Sequence, residues 1–140
     1  MTMEINFPGG KRVNATYKGF TVETDQPPSE GGNGSAPEPF DLFLASIGTC
    51  AGVYVAYFCE SRNIPTDRVR MTLGFDSNPK SHLVEKITIQ IHLPPEFPDK
   101  YRKAVVRAAD SCTVKRNLSN PPQIRVTAVE ADLSDSTGNT

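Results

Sequence analysis

Between Asp41 and Glu60 the chain runs for eighteen residues without a charge, LFLASIGTCAGVYVAYFC. Pro39 stands just before it, where the first turn of a helix has no use for an N–H, and the stretch predicts a helix over 40–62, 23 residues and roughly 34 Å long. Eighteen uncharged residues raise the question of a membrane span. Ser46, Gly48, Thr49, Gly52 and two tyrosines, with no basic flanks, count against one. A helix that is apolar on every side must then be buried on every side. The 117 residues that remain of the 140 once these 23 are removed lie partly in loops and are too few to wrap it. The expected cover is a second copy of the chain.

The flanking segments alternate. Met3, Ile5 and Phe7 against Glu4 and Asn6, then Val13, Ala15 and Tyr17 against Arg12, Asn14 and Thr16, predict two half-buried strands joined by a turn at Pro8-Gly9-Gly10. Lys18-Gly19 punctuates the chain before Phe20 and Val22, which make a third strand of an antiparallel meander. From Gln26 to Pro39, QPPSEGGNGSAPEP holds almost nothing that can build a core and reads as a mobile loop. Beyond the long helix, Val69, Met71, Leu73 and Phe75 and then Ile87, Ile89, Ile91 and Leu93 alternate as the strands of a hairpin. Pro94, Pro95 and Pro98 open a second helix, in which Tyr101, Ala104, Val105, Ala108, Ala109 and Cys112 recur at helical spacing. After Asn120-Pro121-Pro122, Ile124, Val126 and Ala128 alternate as a last strand. The order is β-β-β-α-β-β-α-β, one α+β domain over residues 1–130 with a disordered tail at 131–140.

Fifteen Lys and Arg against 16 Asp and Glu give a net charge of −1, which removes the positive field that nucleic acid or an anionic membrane would require. The opening MTMEINFPGG has no basic segment followed by an apolar one, so the expected location is the cytoplasm. Three cysteines are no disulfide scaffold. With no C-x-x-C, no H-E-x-x-H and only His82 and His92, a metal site is not expected.

Cysteine is the one strong nucleophile whose placement asks for an explanation. Cys50 and Cys59 are nine residues apart on the long helix, which turns them about 180° from each other, so they cannot share a site within it. Cys112 continues the apolar stripe of the second helix and faces the interior that the long helix occupies. Residue pattern alone favours the plain reading, three small buried hydrophobes. A functional Cys50 would need a cation brought from elsewhere, because the field of a helix N-terminus fades within its first turn. Arg12, on the polar face of the first hairpin, and Arg116, just beyond Cys112, are the candidates.

APEPFDLFLASIGTC, Ala36 to Cys50, followed 62 residues after Cys50 by Cys112 within DSCTVKRNLSNP, resembles the two cysteine motifs of the OsmC/Ohr family. The resemblance covers nearly the whole chain. It implies an OsmC-like fold, an intertwined homodimer with two long central helices, and active sites at the subunit interface. In the family's peroxidases the first cysteine attacks a hydroperoxide and the second resolves the product, so those roles pass to Cys50 and Cys112, with Arg12 as the activating cation. Such an enzyme consumes an organic hydroperoxide, draws electrons from an external dithiol, and needs neither metal nor other cofactor. Phe40, Phe43, Leu44 and Tyr54 are the expected apolar walls of its pocket. Cys59 matches neither motif and stays structural.

The chain departs from the peroxidase pattern at one place. Phe40 stands where those branches carry a Glu that holds the arginine over the sulfur, and Asp41 lies about 100° further round the helix. The resemblance is therefore to a less characterised branch. A second reading stays open beside the enzyme: a binding or redox-sensing module whose pocket takes a small apolar or thiol-reactive ligand.

Overall fold

The computed structural model describes residues 1–131. Strands β1 (Glu4–Gly9), β2 (Arg12–Tyr17) and β3 (Phe20–Thr24) form one antiparallel sheet in that order, with Ile5 opposite Ala15 and Ala15 opposite Val22. Lys18 and Gly19 both take positive φ, 52° and 78°, and close the second hairpin as a two-residue turn whose twist suits the strands.

The segment after β3 is held, contrary to the mobile loop its composition suggested. Asp25, 1 % exposed, is its hub: its carboxylate accepts bonds from the N–H groups of Gln26, Asn33 and Ser35 and from the Ser35 hydroxyl at 2.6 Å. A single buried carboxylate thus organises residues that have no apolar side chains to pack. The Ser35 hydroxyl, with the backbone donors behind it, lowers the Asp25 pKa from 3.8 to about 2, burial opposing. At Gly32 the backbone passes so close that an added Cβ would lie 2.0 Å from the Gln26 carbonyl oxygen.

Helix α1 spans Pro39–Glu60. Its start is a capping box in which the Glu38 N–H donates to Asp41 Oδ2 at 3.1 Å and the Glu38 side chain accepts from the Asp41 backbone. Leu44, Ile47, Ala51, Val55 and Cys59, at steps of three and four, are buried. Phe40, Phe43, Val53 and Tyr57 stay between 38 % and 62 % exposed, so one chain covers one face of this helix and leaves the other bare. By length and composition α1 could cross a membrane, and one face of it forms the spine of the core.

That core joins Ala51, Val55 and Cys59 to Phe97, Val105, Ala109 and Cys112, with Met71, Ile89 and Ile91 of the hairpin β4 (Arg70–Ser77) and β5 (Val84–His92) packed against it. No residue of β1–β3 belongs to it. Helix α2 (Arg102–Asp110) follows a 3₁₀ turn at Asp99–Tyr101 and stops short of Cys112. Cys112 instead takes extended backbone and caps a third helix, α3 (Thr113–Ser119), its sulfur accepting the Lys115 N–H at 3.4 Å. The single second helix running through Cys112 is thus two helices with the cysteine at the joint. The last strand expected over 124–128 does not form among the described residues: these positions pair with none of them, and Ile124 and Val126 are 83 % and 91 % exposed. A strand needs an edge to pair with, and none is offered at this place in one chain. Of the expected tail, residues 132–140 lie outside the described residues.

Two outcomes are expected. Gly32→Ala should destabilise the fold by about 2 kcal/mol or more, whereas Gly74→Ala, which meets nothing within 4 Å, should be nearly neutral; urea midpoints compare them. The second concerns acid. Because the folded pKa of Asp25 is depressed, its contribution is fully present above about pH 4 and is lost as pH falls from there through about 2. Asp25→Asn should be less stable than the parent at pH 7, and the gap between the two urea midpoints should close across that window.

Candidate active site

Cys50 sits in the middle of α1, half-buried, at the seam between the packed face and the bare one. Phe43, Tyr54 and Tyr57 share that side of the helix, three and four residues apart or multiples of those steps. Its neighbours on the inner side belong to the same core as Cys112, which is 2 % exposed. Helix geometry alone places the sulfur at a border rather than in the interior.

The polar groups beside it come from α3. Tyr54, one helical turn past Cys50, has its hydroxyl 2.9 Å from Thr113 Oγ1, and Arg116 Nη2 donates to both oxygens at 3.3 Å. Thr113 directly follows Cys112. Sequence reasoning took Tyr54 for an apolar wall and passed over Thr113; the available signal was a hydroxyl next to each cysteine's motif, with Arg116 in reach of both.

Arg12 behaves differently. It is exposed on β2 and makes no hydrogen bond or ion pair among the described residues, and its sheet contributes nothing to the core around Cys50. The structure therefore does not bring Arg12 and Cys50 together within one chain. Phe40 is half exposed in the first turn of α1, its ring 5.4 Å from that of Phe43, and Asp41 is committed to the helix cap. Neither places a carboxylate near the sulfur.

Two apolar cavities flank α1. One, of about 320 Å³, lies between α1, β5 and the α2–α3 joint, with Ile47, Ala51, Ile89, Val106, Cys112 and Leu118 in its wall. The other, about 530 Å³ and shallower, has Leu44, Gly48 and Gly52 facing Met71 and Leu73. Of the four expected pocket walls only Leu44 lines either one. Cys50 opens on neither.

Cys59 is fully buried near the end of α1. Burial pushes its thiol pKa up, only partly offset by the Arg62 guanidinium, which lies 3.6 Å over the Phe58 ring. Such a buried thiol fits the structural role expected of it. Among the described residues no three His, Cys, Asp or Glu side chains converge as metal ligands.

The OsmC-like protein family matches residues 32–127, the span that contains both cysteine motifs. The chain belongs to that family. Solved structures agree on the fold. A Psychrobacter arcticus osmotic stress induced and detoxification response protein superposes with a TM-score of 0.72 at 22 % identity, over 84 % of this chain and 87 % of that one. An organic hydroperoxide resistance protein OsmC of Legionella pneumophila gives 0.55 at 20 %, over 84 % and 89 %, and OhrB of Bacillus subtilis 0.50 at 18 %, over 86 % and 93 %. No curated protein matches the sequence.

The exposure of the three sulfurs predicts an order of alkylation. With iodoacetamide on the native protein, Cys50 should be modified first and Cys59 last, whereas in denaturing urea all three should react alike; peptide mass spectrometry at timed intervals reads the order.

Proposed function

We propose that this OsmC-like protein is a cytoplasmic thiol-dependent peroxidase that reduces organic hydroperoxides, its single domain spanning residues 1–130. The observation that supports it most is the setting of two cysteines: Cys50 half-open at the seam of α1, and Cys112 in the core it borders, at a joint between two helices. The named roles of the Legionella and Bacillus neighbours, hydroperoxide resistance, point the same way.

The chemistry runs in three steps. The Cys50 thiolate attacks the distal peroxide oxygen; an S–O bond forms, the O–O bond breaks, and the alkoxide leaves as an alcohol after taking a proton. Cys112 then attacks the sulfenic sulfur, so that an S–S bond replaces the S–O bond and water leaves with the Cys112 proton. An external dithiol supplies two electrons, becomes a disulfide itself, and restores both thiols.

Activation calls for a second copy of the chain. Arg12 lies on a sheet outside the core that Cys50 packs against, and two apolar surfaces stand uncovered: the bare face of α1, and the sheet β1–β3 with Ile5, Phe7, Phe20 and Val22 exposed. A homodimer in which the sheet of each chain covers the α1 of the other would bury both surfaces and would carry Arg12 toward the partner's seam.

A binding or sensing module is the second reading, favoured by the apolar cavity beside Cys112 that Cys50 does not share. One experiment separates the two. One equivalent of cumene hydroperoxide should convert Cys50 and Cys112 to a disulfide and leave Cys59 a thiol, and Cys50→Ser should abolish turnover with a dithiol reductant. If Cys50 remains a thiol after exposure, the peroxidase reading fails.

A further inference from the structure

Disulfide closure needs two sulfurs to meet in a bond whose Cα atoms must lie within about 7 Å, so whatever holds the backbone around Cys112 against α1 governs that step. Among the described residues, the side-chain hydrogen bonds joining α1 to α2 or α3 are all made by Tyr54, Thr113 and Arg116. Tyr54 lies one turn past Cys50 on the same side of its helix, and a tyrosine there leans back toward the N-terminus, over the turn that carries the cysteine. Thr113 is bonded covalently to Cys112. Arg116 closes the triangle with one nitrogen on both hydroxyls, and no carboxylate among the described residues pairs with it, whereas its neighbour Lys115 pairs with Asp110. The guanidinium thus engages two neutral oxygens, while the nearby acidic residue, Asp110, is taken by Lys115.

We propose that Arg116, Tyr54 and Thr113 form a clasp that positions Cys112 for attack on the oxidised Cys50, so that Arg116 is a positioning residue for the resolving step rather than the cation that activates the first. The inference rests on the peroxidase reading for its chemistry, Cys112 sulfur displacing water from the Cys50 sulfenic acid. When the clasp is weakened, the joint between α2 and α3 moves away from α1, the sulfenic acid waits longer, and a second hydroperoxide takes it to sulfinic acid before Cys112 arrives.

The test measures the two steps apart in the full-length protein. Sulfenic acid formation is followed by dimedone trapping and disulfide formation by quenched non-reducing peptide mapping, in the parent, Arg116→Ala, Arg116→Lys and Tyr54→Phe. The ratio of the second rate to the first should fall about tenfold in Arg116→Ala and several-fold in Tyr54→Phe, with more sulfinic acid at equal peroxide dose. Arg116→Lys, which keeps the charge but loses the fork, should fall between. Tyr54→Phe removes one oxygen and keeps the ring, so it remains informative if the arginine variants fold poorly. Equal ratios in all four proteins overturn the clasp. If the parent does not react with hydroperoxide at all, the peroxidase reading has failed and closure driven by diamide decides: slower Cys50–Cys112 closure in the variants keeps the clasp, and equal or absent closure overturns it.

Discussion

Burial of α1 is the constraint from which the rest of this structure follows. A helix of 22 residues carrying no charge over eighteen of them has no side that water favours, and its own chain covers the side that bears Leu44, Ile47, Ala51, Val55 and Cys59. Removing the remaining half of an aromatic or branched side chain from water is worth about 1 kcal/mol, so Phe40, Phe43, Val53 and Tyr57 together represent a substantial incentive to associate. The sheet β1–β3 stands outside the core with its own apolar side uncovered, and past Pro122 the side chains of Ile124, Val126 and Val129 are exposed on a segment unpaired among the described residues. The proposed homodimer would cover these surfaces mutually.

The same constraint locates the chemistry. On the buried stripe desolvation disfavours a thiolate and pushes the thiol pKa up, as it does for Cys59. A cysteine on the bare face would have no wall against it. Cys50 falls on the border, where a partner surface can close over the sulfur while the core behind it holds Cys112. A mid-helix sulfur receives nothing from the helix termini, so its activation depends on side-chain cations, and the two at issue stand in different places. Arg116, one turn past Cys112 on α3, is engaged with Tyr54 and Thr113; Arg12 is on the outlying sheet.

Much of this was legible in the residues because it rests on period. Alternation in β1–β3 and in the β4–β5 hairpin, and the uncharged run of α1, read directly into elements, and the resemblance to the OsmC/Ohr motifs carried the family. The misreadings share a cause, groups whose partners lie outside their own segment. The loop from Gln26 looked mobile because composition does not reveal that Asp25 would be buried beneath it. Cys112 fitted an apolar stripe, but Ser111 and Thr113 around it are residues of helix ends, and the chain breaks there into two helices. The last strand has the right alternation and no edge in its own chain to pair with. Arg12 is a different case: its place on the first hairpin was legible, and what a single sequence does not say is that this hairpin stands outside the core of its own chain.

Co-expression of Arg12→Ala and Cys50→Ser chains tests the central claim, that the working site is shared between two copies, most directly. Each variant alone should be inactive toward an organic hydroperoxide. Random pairing makes half of the dimers mixed, and each mixed dimer holds one complete site of two, so the mixture should recover about a quarter of the parental activity. Recovery of that size is what the account predicts. No recovery from a mixture shown to contain the mixed dimer, or full activity in Arg12→Ala alone, would contradict it.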